Sequence, residues 1–213
     1  MVKRNGNLSR ILDLVSKRQP DRDRWGDPAS YGGDHWDSRA KQAAHLVRDG
    51  ARVLEIGVGK GTFRDEVKGR CSFVGADLNP LDDQTLAMDL DSDALPAGAF
   101  DVIVLMGVLE YLHNLPAVAE KLRAGAPQVL ISYCSIPGNA ASAAVVSARR
   151  ERGWVNDLTV PQVRALFGVA PYHLAVEEPY KKPGPFWDQR IFRFDRPADE
   201  GSAPDTGARP GAA

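Results

Sequence analysis

The sequence predicts an α/β protein: a mostly parallel sheet with helices on both faces, closed by a C-terminal antiparallel hairpin. Three observations carry this. A short aliphatic run, residues 52–56, breaks into the glycine-rich stretch Gly57-Val58-Gly59-Lys60-Gly61. Near-continuous apolar runs at 72–76, 100–106 and 127–133 alternate with segments of helical period, the pattern of parallel strands buried on both sides. Finally, residues 173–180 and 190–195 alternate polar and apolar side chains around a Pro/Gly loop, which reads as a pair of antiparallel strands.

At 213 residues and 23.1 kDa the chain suits one domain with a sizeable core. A formal net charge of -1 gives no global basic field, which argues against a nucleic-acid partner. Cys71 and Cys134 lie far apart without metal-ligand spacing and read as buried free thiols in a reducing compartment. No apolar stretch suits a signal peptide or a membrane span, so a cytoplasmic protein is expected. The four histidines, His35, His45, His113 and His173, are scattered, and no metal site is predicted. Oligomeric state leaves no mark on the sequence.

Taken in order, Leu8, Ile11, Leu12 and Val15 place one apolar face on a short amphipathic helix over 8–15. Residues 19–37 are rich in Pro, Gly and Asp yet hold Trp25, Tyr31, His35 and Trp36, which predicts an ordered loop. A helix is expected over 38–47 from the recurrence of Ala40, Ala43, Ala44 and Val47. The strand at 52–56, its glycine turn and a helix over 62–68 follow. A glycine turn between strand and helix leaves backbone N–H groups and the positive helix end facing a ligand. The second strand, 72–76, ends in Asp77, where a carboxylate can accept two ribose hydroxyls. Residues 78–85 are too few for the usual crossover helix, so 85–88 is predicted as a short edge strand. Beyond lie an acidic loop at 91–99, a helix over 117–122, an alanine-rich helix over 139–150 and a capped helix over 159–167. From Arg196 on, the chain offers almost nothing to bury and is expected to be a disordered tail.

The order of these signals resembles the class I S-adenosylmethionine-dependent methyltransferases, which have a Rossmann-like sheet. The resemblance rests on Glu55 ahead of the alternating Gly57, Gly59 and Gly61, Asp77 at a strand end, the pair Asp89-Leu90, the F-D-V-I-V run from Phe100, and V-L-E-Y-L over 108–112. It covers roughly residues 36–195 and divides the chain into an N-terminal helix and aromatic loop (1–37, a candidate lid), a cofactor-binding domain (38–195) and the tail (196–213). It implies S-adenosylmethionine as methyl donor, S-adenosylhomocysteine as product, and a cofactor site of Glu55, Gly57, Gly59, Gly61, Asp77, Leu78, Asp89, Leu90, Met106 and Arg39. Asp89 would take the adenine amino group, with Asp91 and Asp93 as rival acids. Tyr31, Trp36 and Arg39 either face this site or pack beneath the helix.

Displacement at a sulfonium methyl needs mainly alignment of the nucleophile, with a base where the acceptor must lose a proton. His113 and His35 are the candidates by intrinsic pKa, followed by Glu110 and Tyr133; Tyr133 is read either as a pocket wall or as a packing residue. The motif after the fourth strand, Met106-Gly107-Val108-Leu109, lacks the N-P-P-Y phrase of adenine or glutamine methyltransferases. A small-molecule acceptor is therefore expected: a metabolite, a sugar or a natural-product intermediate. A non-catalytic cofactor-binding scaffold and a NAD-dependent oxidoreductase are the alternatives.

Overall fold

The computed structural model describes residues 8–31, 34–138, 142–184 and 187–197. Seven strands form one sheet among them: β1 (Arg52–Ile56), β2 (Ser72–Asp77), β3 (Thr85–Ala87), β4 (Val102–Met106), β5 (Gln128–Ser135), β6 (His173–Pro179) and β7 (Asp188–Asp195). Their order is β3-β2-β1-β4-β5-β7-β6. Strands β1 to β5 pair in parallel; β7 runs antiparallel to both β5 and β6, the closing hairpin that the alternating C-terminal segments predict. The chain winds outward from β1 in both directions, and ligands in such sheets sit outside the carboxyl ends of the strands at this reversal point.

Helices cover both faces. On one, α3 (Asp34–Ala44) and α4 (Thr62–Val67) set Ala40, Ala43, Phe63 and Val67 against Val53, Val104, Leu130 and Ile191. On the other, α5 (Leu115–Gly125) and α7 (Val160–Phe167) set Val118, Leu122, Val163 and Phe167 against Leu54, Ile103, Ile131 and Phe194. The small alanines of α3 let its backbone lie close to the sheet. Helix α7 begins with a complete capping box, Thr159 with Gln162, which satisfies two of its free N–H groups. Helices α1 (Leu8–Lys17), α2 (Arg22–Trp25) and α6 (Ala143–Arg150) complete the set. None of the helices among the described residues is long and apolar enough to cross a membrane.

Several boundaries differ from the sequence reading. The aromatic loop contains α2, capped by the Asp21 side chain on Arg24 N, and a 3-10 turn at Pro28–Ser30. Helix α3 starts earlier than Ser38 and ends at Ala44; Asp37 stands in its first turn, where the positive helix end favours an acid. Within V-L-E-Y-L, Leu109–Tyr111 form one 3-10 turn, and α5 begins at Leu115, ahead of the expected 117, with proline in its first turn. The crossover from β2 to β3 carries no helix, as its length requires. The expected tail lies outside the described residues from 198 on, as do residues 139–141 of the alanine-rich helix.

Candidate active site

The carboxyl ends of β1, β2 and β4 open into one cleft. Its cavity volume is about 160 Å³, far beyond the ~10–15 Å³ that one water needs. Its floor is the glycine turn. Gly57 has φ +84, and a Cβ there would come 2.3 Å from Val108 Cγ2; any other residue would be strained and would strike the opposite wall. Gly59 donates its N–H to Asp77 Oδ2 at 2.9 Å, which fixes the turn against the end of β2. Gly61 is the N-cap of α4 and stands outside the cleft lining, where Gly57 and Gly59 belong.

Asp77 is 6% exposed. Its Oδ2 takes Gly59 N and its Oδ1 takes Asn79 N at 3.1 Å. A carboxylate has about four lone-pair positions, so two remain for a pair of hydroxyls. Burial pushes its pKa up, and the N–H groups it accepts from hold it back.

Glu55, in β1 between Gly75 and Val104, lines the cleft at 2% exposure. Its Oε2 has no hydrogen-bond partner. Burial drives its pKa well above the usual carboxyl range; Arg64 and Arg39 offset part of this, while Asp77 and Asp65 add to it. A folded pKa above the unfolded one stabilises the fold at low pH, and that contribution is lost as pH rises. Glu55→Gln is therefore expected to raise the melting temperature of the ligand-free protein at about pH 8, with the gain shrinking toward about pH 5. Melting curves at both values check this, and a destabilised variant at the higher pH would contradict it.

Leu78, Asp89, Leu90, Met106 and Arg39 also line the cleft. Arg39, 8% exposed, donates Nη2–H to Met106 O at 2.8 Å. The Asp89 carboxylate accepts from Asp91 N at 3.2 Å and from Arg22 Nη2 at 3.1 Å. Arg22 also reaches Leu78 O at 3.3 Å and so ties the N-terminal segment across the cleft as a roof. Trp25 anchors that roof, with its ring centroid 4.8 Å from Tyr111, edge to face, and 5.5 Å from Tyr31. Tyr31 and Trp36 both line the cleft and also contact the Trp25 ring.

The catalytic candidates separate. His113 lines the cleft; its backbone N–H is held by Asp91 at 2.9 Å and its Nε2 lies 3.2 Å from Gln19 O. A carbonyl only accepts, so Nε2 is the donor in this contact. His35 stands in the first turn of α3, and its side chain lies outside the described residues. The structure does not bring Glu110 and Tyr133 to the cleft. Glu110 is 1% exposed and accepts Cys134 N on Oε1 at 2.8 Å. Tyr133 is fully buried, its hydroxyl bonded to Asn156, Arg149 and Leu158. The rival acid Asp91 is a tie, accepting the N–H groups of His113 and Asn114. Tyr111, which its place inside V-L-E-Y-L leaves to face the cleft or solvent, lines the cleft, and its oxygen accepts Trp154 Nε1–H at 3.1 Å.

A family model described as a methyltransferase domain matches residues 10–164. No curated protein matches the chain. Among solved structures, magnesium protoporphyrin IX methyltransferase from Synechocystis PCC 6803, with bound SAH, is similar at 14% identity and a TM-score of 0.60, over 86% of this chain and 96% of that one. The N-methyltransferase NodS from Bradyrhizobium japonicum WM9 is similar at 15% identity and a TM-score of 0.57, over 76% and 94%. Mitomycin 7-O-methyltransferase MmcR is similar at 17% identity and a TM-score of 0.57, over 88% of this chain and 60% of that one.

Proposed function

Because the chain belongs to the methyltransferase-domain family, which uses S-adenosylmethionine, we propose that it transfers the methyl group to an oxygen or nitrogen of a small-molecule acceptor by in-line displacement. What S-adenosylmethionine supplies when bound is an electrophilic methyl on a sulfonium, with S-adenosylhomocysteine as the leaving product. The residues present fit it. Glu55 Oε2, buried and without a partner, offers a carboxylate to its cationic amino-acid end. Gly57 and Gly59 leave the space that side chains would fill, and Asp77 keeps two acceptor positions for the ribose hydroxyls.

The observation that carries a small acceptor is the roof. Arg22 on Asp89 and Leu78, and Gln19 on His113, close the cleft from above, which suits a compact molecule better than a polymer. The named activities of NodS and MmcR, on nitrogen and on oxygen, support either acceptor atom. The chain's own part in the reaction is alignment and exclusion of water, by a lining that includes Arg39, Met106 and Gly107 together with Trp25, Tyr31 and Trp36. Calorimetric titration with S-adenosylhomocysteine, with NAD as control, is expected to give a Kd on the order of micromolar for the first and no heat for the second. The reverse result would overturn this reading.

His113 has its backbone on Asp91, beside Asp89-Leu90, and its ring on the roof, so it acts as a clasp more than as a base. His113→Ala is expected to weaken S-adenosylhomocysteine binding about fivefold, the loss of one ordinary hydrogen bond, with turnover at saturating donor little changed. A base would instead lose a factor of roughly a hundred or more in turnover.

A further inference from the structure

Four buried polar atoms that find no hydrogen-bond partner gather beside the cleft: Arg39 Nε, Glu110 Oε2, Ser132 Oγ and Gln189 Oε1. The sheet register brings them together. Met106 pairs with Ser132 and Cys134 with Gln189, and paired residues present their side chains on the same face. Arg39 reaches this face from α3 through its bond to Met106 O, and Glu110 through its bond to Cys134 N. Tyr180 completes the group: its hydroxyl is 3.9 Å from Cys134 Sγ and its ring centroid 5.9 Å from Arg39 Cζ. Arg39, Glu110, Ser132 and Gln189 are all at least nine-tenths buried. Buried groups of this kind are met by water or by a ligand in a stable fold.

The chemistry of the set selects the ligand. Arg39 offers an N–H, Glu110 offers a lone pair, and Ser132 can do either. Their opposite charges sum to zero, so a carboxylate or phosphate would face Glu110 and an ammonium would face Arg39. A hydroxyl accepts from one and donates to the other. The group joins the cleft at Arg39 and Met106, which line the cleft and are tied to each other and to Ser132.

We propose that Arg39, Glu110, Ser132 and Gln189 receive the hydroxyl-bearing arm of a neutral acceptor of the sugar or polyol class and determine acceptor specificity, a proposal that rests on the methyl-transfer reading. The test uses the full chain loaded with S-adenosylhomocysteine and four probes on one ring: methyl glucoside, glucosamine, glucuronate and glucose phosphate, compared by saturation-transfer NMR. Methyl glucoside is expected to respond, with each charged ring weaker by at least about tenfold, because an uncompensated buried charge is costly. Glu110→Gln leaves the site net positive and keeps an oxygen for Cys134 N; it is expected to shift preference toward glucuronate. Arg39→Gln is expected to shift it toward glucosamine. No response from the neutral ring, equal responses from all four, or a preference that neither variant moves would overturn the proposal and leave water as the occupant. Should one variant fail to fold, the other and the wild-type series still decide. Calorimetry on the unloaded protein separates the two levels: binding of S-adenosylhomocysteine without the ring pattern removes this proposal alone, and no binding removes the methyl-transfer reading and this with it.

Discussion

Arg149→Met is expected to lower the melting temperature by about 10 °C, because removing one partner from a buried charged network costs ~3–5 kcal/mol and each kcal/mol is worth about 2–4 °C in a chain of this size. The guanidinium is fully buried. It donates to Cys134 O at 2.6 Å, to Asp157 Oδ1 at 2.9 Å, to the Tyr133 hydroxyl at 3.0 Å and to Asn156 O at 3.0 Å, and its Cζ lies 4.7 Å from the Trp154 ring centroid. Methionine fills much of the volume and supplies none of these donors, which leaves the Asp157 carboxylate and two carbonyls without this partner. The loss reaches the cleft as well. Asn156, held by Arg149, donates from Nδ2 to Leu109 O at 2.6 Å and Leu112 O at 3.1 Å, and the same loop sends Gly153 and Val155 into the lining. Calorimetric melting of wild type and variant checks this; a change under about 2 °C, less than 1 kcal/mol, would show that the network is dispensable.

Asp77→Ala is expected to weaken S-adenosylhomocysteine binding by about a hundredfold while leaving the sheet folded. Two hydrogen bonds from ribose hydroxyls to a carboxylate are worth ~1.5–3 kcal/mol each at most, and part is recovered by water entering the space. The variant also frees Gly59 N–H and Asn79 N–H, which now bond to Asp77, so some of the loss comes from a looser turn. Asp77→Asn separates the two effects: its amide oxygen can still hold Gly59 N, but it can no longer accept both hydroxyls with full charge. An intermediate affinity for Asn, with melting near wild type for both variants, is the expected pattern. Equal affinity for wild type and Asp77→Ala would remove Asp77 from the site.

The carboxylates also explain why part of this site could be read directly. Glu55 is the last residue but one of its aliphatic strand and Asp77 is the last of its own, and a strand followed by glycines or by a turn residue has few alternatives. Asp91, by contrast, sits in a run with Ser92 and Asp93 that suits a solvated turn, and only the approach of His113, 22 positions later, gives it a partner.

Tyr133 shows how a small error in an element's end changes a role. Read as the last residue of a strand over 127–133, it belongs at the carboxyl edge and beside a ligand. The strand runs on to Ser135, and alternation turns Tyr133 to the face of α5 and α7, among Leu109, Val163 and Phe192. Cys134 takes the opposite side, near Tyr180. Arg149 was equally hidden, since the basic end of an alanine-rich helix usually faces water, and nothing local reveals that β5 and the 151–158 loop enclose it.

By itself the sequence determined the sheet, its closing hairpin, the glycine turn and the two strand-end acids, because those follow from side-chain period and turn chemistry over a few neighbouring residues. Only the tertiary structure decided which groups meet across the cleft: Arg22 with Asp89 over 67 positions, His113 with Gln19 over 94, Arg39 with Met106 over 67. Such pairings depend on how the roof and α3 settle on the sheet, and residues far apart along the chain carry no local pattern that marks them as partners.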